Sequence, residues 1–160
     1  MLACVGLGAN LGDASATVLA ALQALDALPD TRLLRASRLY RTPAWGKTDQ
    51  PEFVNAAAAL DTQLDARALL DAMLSIERTF GRDRTAIERW SARTLDLDLL
   101  LYGEARIDEP GLHVPHPHLH ERAFALVPLV EIAPDIIIPG HGRAADIVAA
   151  MVTGDIQALG

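Results

Sequence analysis

The sequence predicts an α+β fold, a mainly antiparallel sheet with helices packed on it. Three observations carry this. Strand-like apolar runs and amphipathic helical stretches follow one another in the order β-α-β-β-α-β, with further helical segments behind them. That order is the ferredoxin-like one, in which the helices lie against one face of the sheet. Half of the 160 residues are apolar, with Ala and Leu dominant and aromatics scarce, which is enough for one substantial core. A single domain over 1–160 is expected, since no linker, repeat or low-complexity segment divides the chain.

Residues 2–8 are a short apolar run of strand formers and small residues, broken by Gly8-Ala9-Asn10-Leu11-Gly12. Asp13 caps a helix to Leu28, in which Val18, Leu22, Leu25 and Leu28 recur at helical spacing, and Pro29-Asp30 ends it. Residues 32–41 read as one strand and 53–62 as the next, separated by a Pro/Gly loop that carries Trp45. Asp65 caps a second helix with Leu69, Met73, Ile76 and Phe80 on one stripe, and Gly81 ends it. An Arg-rich loop leads to a strand at 95–102. A turn at Gly103-Glu104, a short strand around 105–107, a loop over 108–119, a helix around 120–131, an extended piece at 136–138 and a last helix over 144–152 complete the chain.

The most informative stretch is Arg93-Thr94-Leu95-Asp96-Leu97-Asp98-Leu99-Leu100-Leu101. Side chains alternate on a strand, so Asp96 and Asp98 share one face, with Cα atoms roughly 6.5–7 Å apart. Leu95, Leu97 and Leu99 face a core on the other side. Adjacent carboxylates repel, and a divalent cation bridging phosphate oxygens is the simplest stabilising partner. Arg82, Arg84, Arg89 and Arg93 lie just upstream with Trp90 among them. Arginine grips phosphate with a rigid fork, and a loop lets several converge. Acid for a metal beside arginine for phosphate points to Mg²⁺-nucleotide chemistry. A solvated polar face on the strand and a solvated charged loop are the competing readings.

Other patterns exclude alternatives. A net charge of −7 argues against a general nucleic-acid binder. Gly6-x-Gly8 lacks the third glycine of a dinucleotide fingerprint, because position 11 is Leu11. His113, His116, His118 and His120 are interrupted by Pro115 and Pro117, which does not suit a zinc site, and a phosphate contact from one histidine or from Arg122 fits better. There is no phosphate-loop motif and no serine elbow. Cys4 is the one cysteine, expected as an inert buried thiol. No signal peptide or membrane-spanning run is evident, so a cytoplasmic protein with no membrane association is expected. Trp45, Phe53, Trp90 and Phe124 could stack on a flat heteroaromatic ligand or simply pack locally.

With these residues in view, the chain resembles the 6-hydroxymethyl-7,8-dihydropterin pyrophosphokinase family. The carriers are GLGANLGD, YRTPAWG with QPEFVNA, GRDRTAIERW, RTLDLDLLLYG and VPHPHLHERAFALVPLVEIAP, spread from Leu7 to Pro134. The resemblance implies a ferredoxin-like fold and a magnesium-dependent transfer of pyrophosphate from ATP to a reduced pterin, giving AMP and the pterin diphosphate. It implies that Asp96 and Asp98 bind two Mg²⁺, and that Arg82 and Arg93 share in catalysis. Arg82, Arg84, Arg89, Trp90, Arg93, His116, Arg122 and Glu77 become nucleotide-binding positions. Thr42, Pro43, Trp45, Phe53, Asn55 and Phe124 become pterin-binding positions. Phe53 stands where the family often has tyrosine, and Gly111, His113 and Pro117 also depart from well-known members. A monomer acting on ATP and pterin is expected. A simple Mg²⁺-dependent kinase giving ADP and a non-catalytic ferredoxin-like binding module are the alternatives.

Overall fold

A computed structural model describes residues 1–10, 13–42, 53–80 and 95–159. In chain order the elements are β1 (Leu2–Ala9), α1 (Ala14–Asp26), β2 (Thr31–Ala36), β3 (Leu39–Thr42), β4 (Phe53–Thr62), α2 (Ala66–Thr79), β5 (Asp96–Tyr102), β6 (Ile107–Glu109), β7 (Leu112–Val114), α3 (Ala123–Ile132), β8 (Ile137–Ile138), β9 (Gly142–Arg143), α4 (Ala144–Ala149) and β10 (Gln157–Leu159). Both capping expectations hold: Asp13 accepts from Ala16 N at 3.1 Å and Asp65 from Ala68 N at 2.7 Å.

The main sheet runs β10-β3-β4-β1-β5, with β2 also on β4, and all its pairings are antiparallel. β1 lies between β4 and β5, so the first strand of the chain becomes the spine of the sheet. Its odd residues Ala3, Val5, Leu7 and Ala9 join Leu95, Leu97 and Leu99 in one core under α1 and α2. The even-numbered side is different. Cys4, Ala57 and Ala59 pack with Leu100 and Leu101 against Leu126, Leu129 and Ile132 of α3. Alanines on β4 let that helix approach the sheet closely.

Helices therefore cover both faces, where the sequence order alone suggested one. The C-terminal segment supplies the second layer, but α3 covers only part of that face. Among the described residues, the polar ones gather on the part that α3 leaves open.

Other differences have local causes. The strand expected over 32–41 is two strands, because Ser37 breaks the ladder. Its Oγ accepts Ala57 N–H at 2.9 Å and donates to the Arg38 carbonyl at 2.7 Å. The short strand near 105–107 lies at 107–109 and pairs with Leu112–Val114, inside what reads as loop, through a turn at Gly111 with φ +76°. The helix expected around 120–131 is a 3₁₀ turn at Leu119–Glu121 followed by α3, with Arg122 extended between them. The last helix ends at Ala149 rather than 152, and Gln157–Leu159 adds an unanticipated strand on β3. No helix among the described residues is long and apolar enough to cross a membrane.

Candidate active site

The uncovered part of the sheet forms the floor of a cavity of about 340 Å³. Strand register explains its composition. Gly8 pairs with Asp96 on one side and Asn55 on the other, and Gly6 pairs with Asp98 and Ala57. Residues opposite each other on neighbouring strands project to the same face. Two glycines on the central strand thus leave open space between the carboxylates of β5 and the polar residues of β4. A Cβ on Gly8 would come within 2.9 Å of Asn55 Oδ1. Thr42 pairs with Phe53, extending the same face to the sheet's other side.

At one end of the cavity, Thr42, Phe53 and Asn55 face Phe124 and Ala125 from α3. Asn55 Nδ2 donates to Thr42 Oγ1 at 2.8 Å, with both residues buried. That bond orients the amide and leaves its oxygen directed for recognition of another donor. Two aromatic rings and an oriented amide suit a flat ring with a polar edge.

At the other end stand Asp96, Asp98, His116 and Arg122. His116 Nε2 lies 3.9 Å from Asp98 Oδ1. Burial pushes the imidazole below its ordinary value. Asp98 pulls it up, and Arg122, His118 and His113 push it further down. Arg122 sits with its guanidinium carbon 5.7 Å from the centre of the Phe124 ring, which bridges the two ends of the cavity.

The donor set suits Mg²⁺. Asp96 and Asp98 offer hard oxygen ligands on one face, opposite glycines that leave room beside them. No cluster of three or more His, Cys, Asp and Glu that could hold a metal ion exists among the described residues. Mg²⁺ binds through one or two carboxylates and completes its shell with water and substrate phosphate, so two carboxylates suffice.

The histidines separate by partner. His113 Nδ1 contacts Asp108 Oδ1 at 2.7 Å, while His118 and His120 both approach Glu121. His116 is the member that lines the cavity. Cys4 is fully buried, and burial pushes its thiol up to about 12, as befits an inert core residue.

Glu77, placed among the nucleotide-binding positions by resemblance, is absent from the cavity lining. It is 2 % exposed at the end of α2, and its Oε2 accepts the Leu97 N–H at 2.7 Å. The cause is its helix position, one turn beyond Met73 on the core stripe. Arg82, Arg84, Arg89, Trp90, Arg93, Pro43 and Trp45 lie outside the described residues.

Several lining residues were not read as site residues in the sequence. Gly6 and Gly8, weighed there only as an incomplete dinucleotide fingerprint, are the floor, a role visible only once β1 is known to be central. Leu100 and Leu119 close the apolar side. Asn10, just past β1, is outside this lining. It is 1 % exposed, and among the described residues neither its Nδ2 nor its Oδ1 has a hydrogen-bond partner.

The family model for 7,8-dihydro-6-hydroxymethylpterin-pyrophosphokinase (HPPK) matches residues 4–134. The Pseudomonas aeruginosa 2-amino-4-hydroxy-6-hydroxymethyldihydropteridine pyrophosphokinase is 46 % identical over 155 residues, covering 97 % of this chain and 94 % of that one. The Methylorubrum extorquens protein of the same name is 48 % identical over 139 residues, covering 87 % of each. Among solved structures, an HPPK-DHPS in complex with substrates has a TM-score of 0.73 at 13 % identity. It is matched over 93 % of this chain and 43 % of its own length. The wild-type Plasmodium falciparum HPPK-DHPS with SDX-DHP gives 0.72 at 12 % identity, over 98 % of this chain and 47 % of that one. At such identities the structural likeness concerns the fold, and the chain spans less than half of those longer proteins.

Proposed function

Because this chain belongs to the 7,8-dihydro-6-hydroxymethylpterin-pyrophosphokinase family, we propose that the cavity over β1, β4 and β5 is its active site. The enzyme transfers pyrophosphate from ATP to the hydroxymethyl group of 6-hydroxymethyl-7,8-dihydropterin, in folate biosynthesis. One observation carries the assignment of the site. A two-carboxylate face and an aromatic–amide pocket share one cavity on the sheet, joined by Arg122.

In this reading the pterin ring lies against Phe53 and Phe124, and Asn55 and Thr42 pair with its polar edge. That orientation directs the hydroxymethyl group toward Asp96 and Asp98. Arg122 and His116 hold phosphate oxygens of ATP, with Arg82 and Arg93 proposed to join them. His116, held neutral by burial, donates one ring N–H without adding a second charge beside Arg122. The pterin oxygen bonds to the β-phosphorus of ATP, and the bond from that phosphorus to the α,β-bridging oxygen breaks. AMP leaves with the bond's electron pair, and the hydroxyl proton passes to solvent. Mg²⁺ bound by Asp96 and Asp98, proposed as two ions, would neutralise charge on the phosphates. A monomer working in the cytoplasm, where ATP is available, completes the proposal.

The test is incubation of the pure protein with ATP, Mg²⁺ and the reduced pterin, followed by separation of nucleotides. AMP formed only when pterin is present supports the reading. ADP instead of AMP would favour a simple kinase, and no turnover by folded protein a binding module.

A further inference from the structure

We propose that Glu77 is a positioning residue, which steadies the strand segment carrying both metal-binding carboxylates by holding the Asp96–Leu97 peptide. This rests on the reading of Asp96 and Asp98 given above. Among the described residues, β5 lies at the edge of the sheet and pairs with β1 alone. An edge strand presents backbone N–H and C=O groups that no neighbouring strand satisfies. Among the described residues, two of these groups on β5 are satisfied from outside the sheet. Leu100 O accepts His116 N–H at 2.9 Å, and Leu97 N–H donates to Glu77 Oε2 at 2.7 Å.

Leu97 lies between Asp96 and Asp98, and its N–H belongs to the Asp96–Leu97 peptide. Holding that N–H restrains this peptide plane directly, and through the Leu97 Cα it steadies the short strand segment that carries both aspartates. The choice of a carboxylate for this task is chemically costly. Glu77 is 2 % exposed and occupies a core-stripe position where leucine would bury favourably. A buried carboxylate is tolerated only when well hydrogen-bonded. A charged acceptor also binds an amide N–H about twice as strongly as a neutral one. The arrangement follows the general pattern in which groups behind metal ligands orient them.

Two substitutions separate reach from charge. Glu77→Gln keeps an oxygen at the same reach and removes the charge, whereas Glu77→Asp keeps the charge and shortens the arm by one methylene. Positioning predicts that Glu77→Asp loses roughly tenfold or more in turnover and needs more Mg²⁺ for half-maximal rate. Glu77→Gln recovers most of that loss, and pterin affinity is unchanged in both. The readout independent of activity is hydrogen exchange at the Leu97 amide in the ligand-free protein. It should be slow in the native chain and in Glu77→Gln, and at least tenfold faster in Glu77→Asp. Equal Leu97 exchange in the native chain and Glu77→Asp overturns the brace. So does the reverse order of activity, with Glu77→Asp active and Glu77→Gln inactive, which would make the charge itself the functional element. A native protein that forms no AMP would sink the proposed reaction instead, while the exchange comparison still decides the brace.

Discussion

His116 Nε2 stands 3.9 Å from Asp98 Oδ1, yet the imidazole is held below its ordinary value. Burial outweighs the neighbouring carboxylate, and Arg122 adds to it. The folded protein therefore binds a proton at His116 less readily than the unfolded chain does. Stability from this residue is complete above the unfolded value near 6.5 and declines as pH falls from there through the lower folded value. Urea unfolding between pH 8 and pH 5 should show that decline, and His116→Asn should flatten it. An NMR titration of His116 with a midpoint above 6.5 would contradict this.

Asp96 and Asp98 should be needed for turnover far more than for pterin capture. The aromatic–amide end of the cavity is built from β3, β4 and α3, while both carboxylates come from β5. Asp96→Asn or Asp98→Asn is expected to lower kcat by on the order of 10²-fold or more, by analogy with losing one pre-organised electrostatic group. Pterin binding without nucleotide should change little. Steady-state kinetics beside pterin titration checks both halves, and near-normal turnover in either variant would remove the carboxylates from the reaction.

How much of this was legible in the sequence depends on the range of the interaction. The helix caps at Asp13 and Asp65 and the alternation of Asp96 and Asp98 are local, and they stand as read. Ser37 splits a strand through a side chain bonded to Ala57, twenty residues away, and no local propensity encodes that. The role of Gly6 and Gly8 needs the register of β1 against two partners at once. Phe53 and Phe124 were candidate stacking aromatics from the residues themselves, Thr42 and Asn55 came from family resemblance, and the four do meet in one cavity. Glu77 came the same way, but its burial against Leu97 requires knowing that α2 packs under β5.

Asn55→Ala should weaken pterin binding and spare the fold. The substitution removes the amide and leaves the Thr42 hydroxyl without its donor in a buried place. An unmet buried polar group costs about 1–3 kcal/mol. With the lost ligand contact, the pterin Kd should rise roughly ten- to a hundredfold. Calorimetry should show this alongside a modest fall in Tm. Unchanged affinity would mean that the ring does not lie against β4.

Tyr40 and Glu131 tie β3 to α3 and so hold the wall that carries Phe124. The Tyr40 hydroxyl donates to Glu131, which also accepts the Arg38 N–H at 2.9 Å. Burial works to raise the Glu131 carboxyl, but the Tyr40 and Arg38 hydrogen bonds outweigh it and leave it below the ordinary carboxylate range. This stabilisation is present above the unfolded carboxyl value and is lost as pH falls through the lower folded value. Tyr40→Phe is expected to cost about 1 kcal/mol at neutral pH and to reduce the acid sensitivity. Chemical denaturation at pH 7 and below pH 4 measures both, and equal loss at the two pH values would detach the tyrosine from the carboxylate.

Gly8→Ala should be more damaging to pterin binding than Gly6→Ala. A Cβ at Gly8 meets Asn55 Oδ1 at 2.9 Å, closer than real Cβ contacts come, so the amide must move. Asn55 cannot shift freely, because its Nδ2 is committed to Thr42 at 2.8 Å and both residues are buried. The added methyl therefore either breaks that bond or pushes β4 away, at a cost of about 1–3 kcal/mol. A Cβ at Gly6 meets Leu100 Cδ1 at 3.4 Å, close to ordinary contact with the end of a flexible side chain. Its effect falls instead on the space beside its partner Asp98. Gly8→Ala is thus expected to raise the pterin Kd at least tenfold with a small fall in Tm. Gly6→Ala should leave pterin affinity nearly intact and lower turnover. Binding and rate measured on the pair separate the two ends of the cavity, and the opposite pattern would show that the pterin sits over β5 rather than β4.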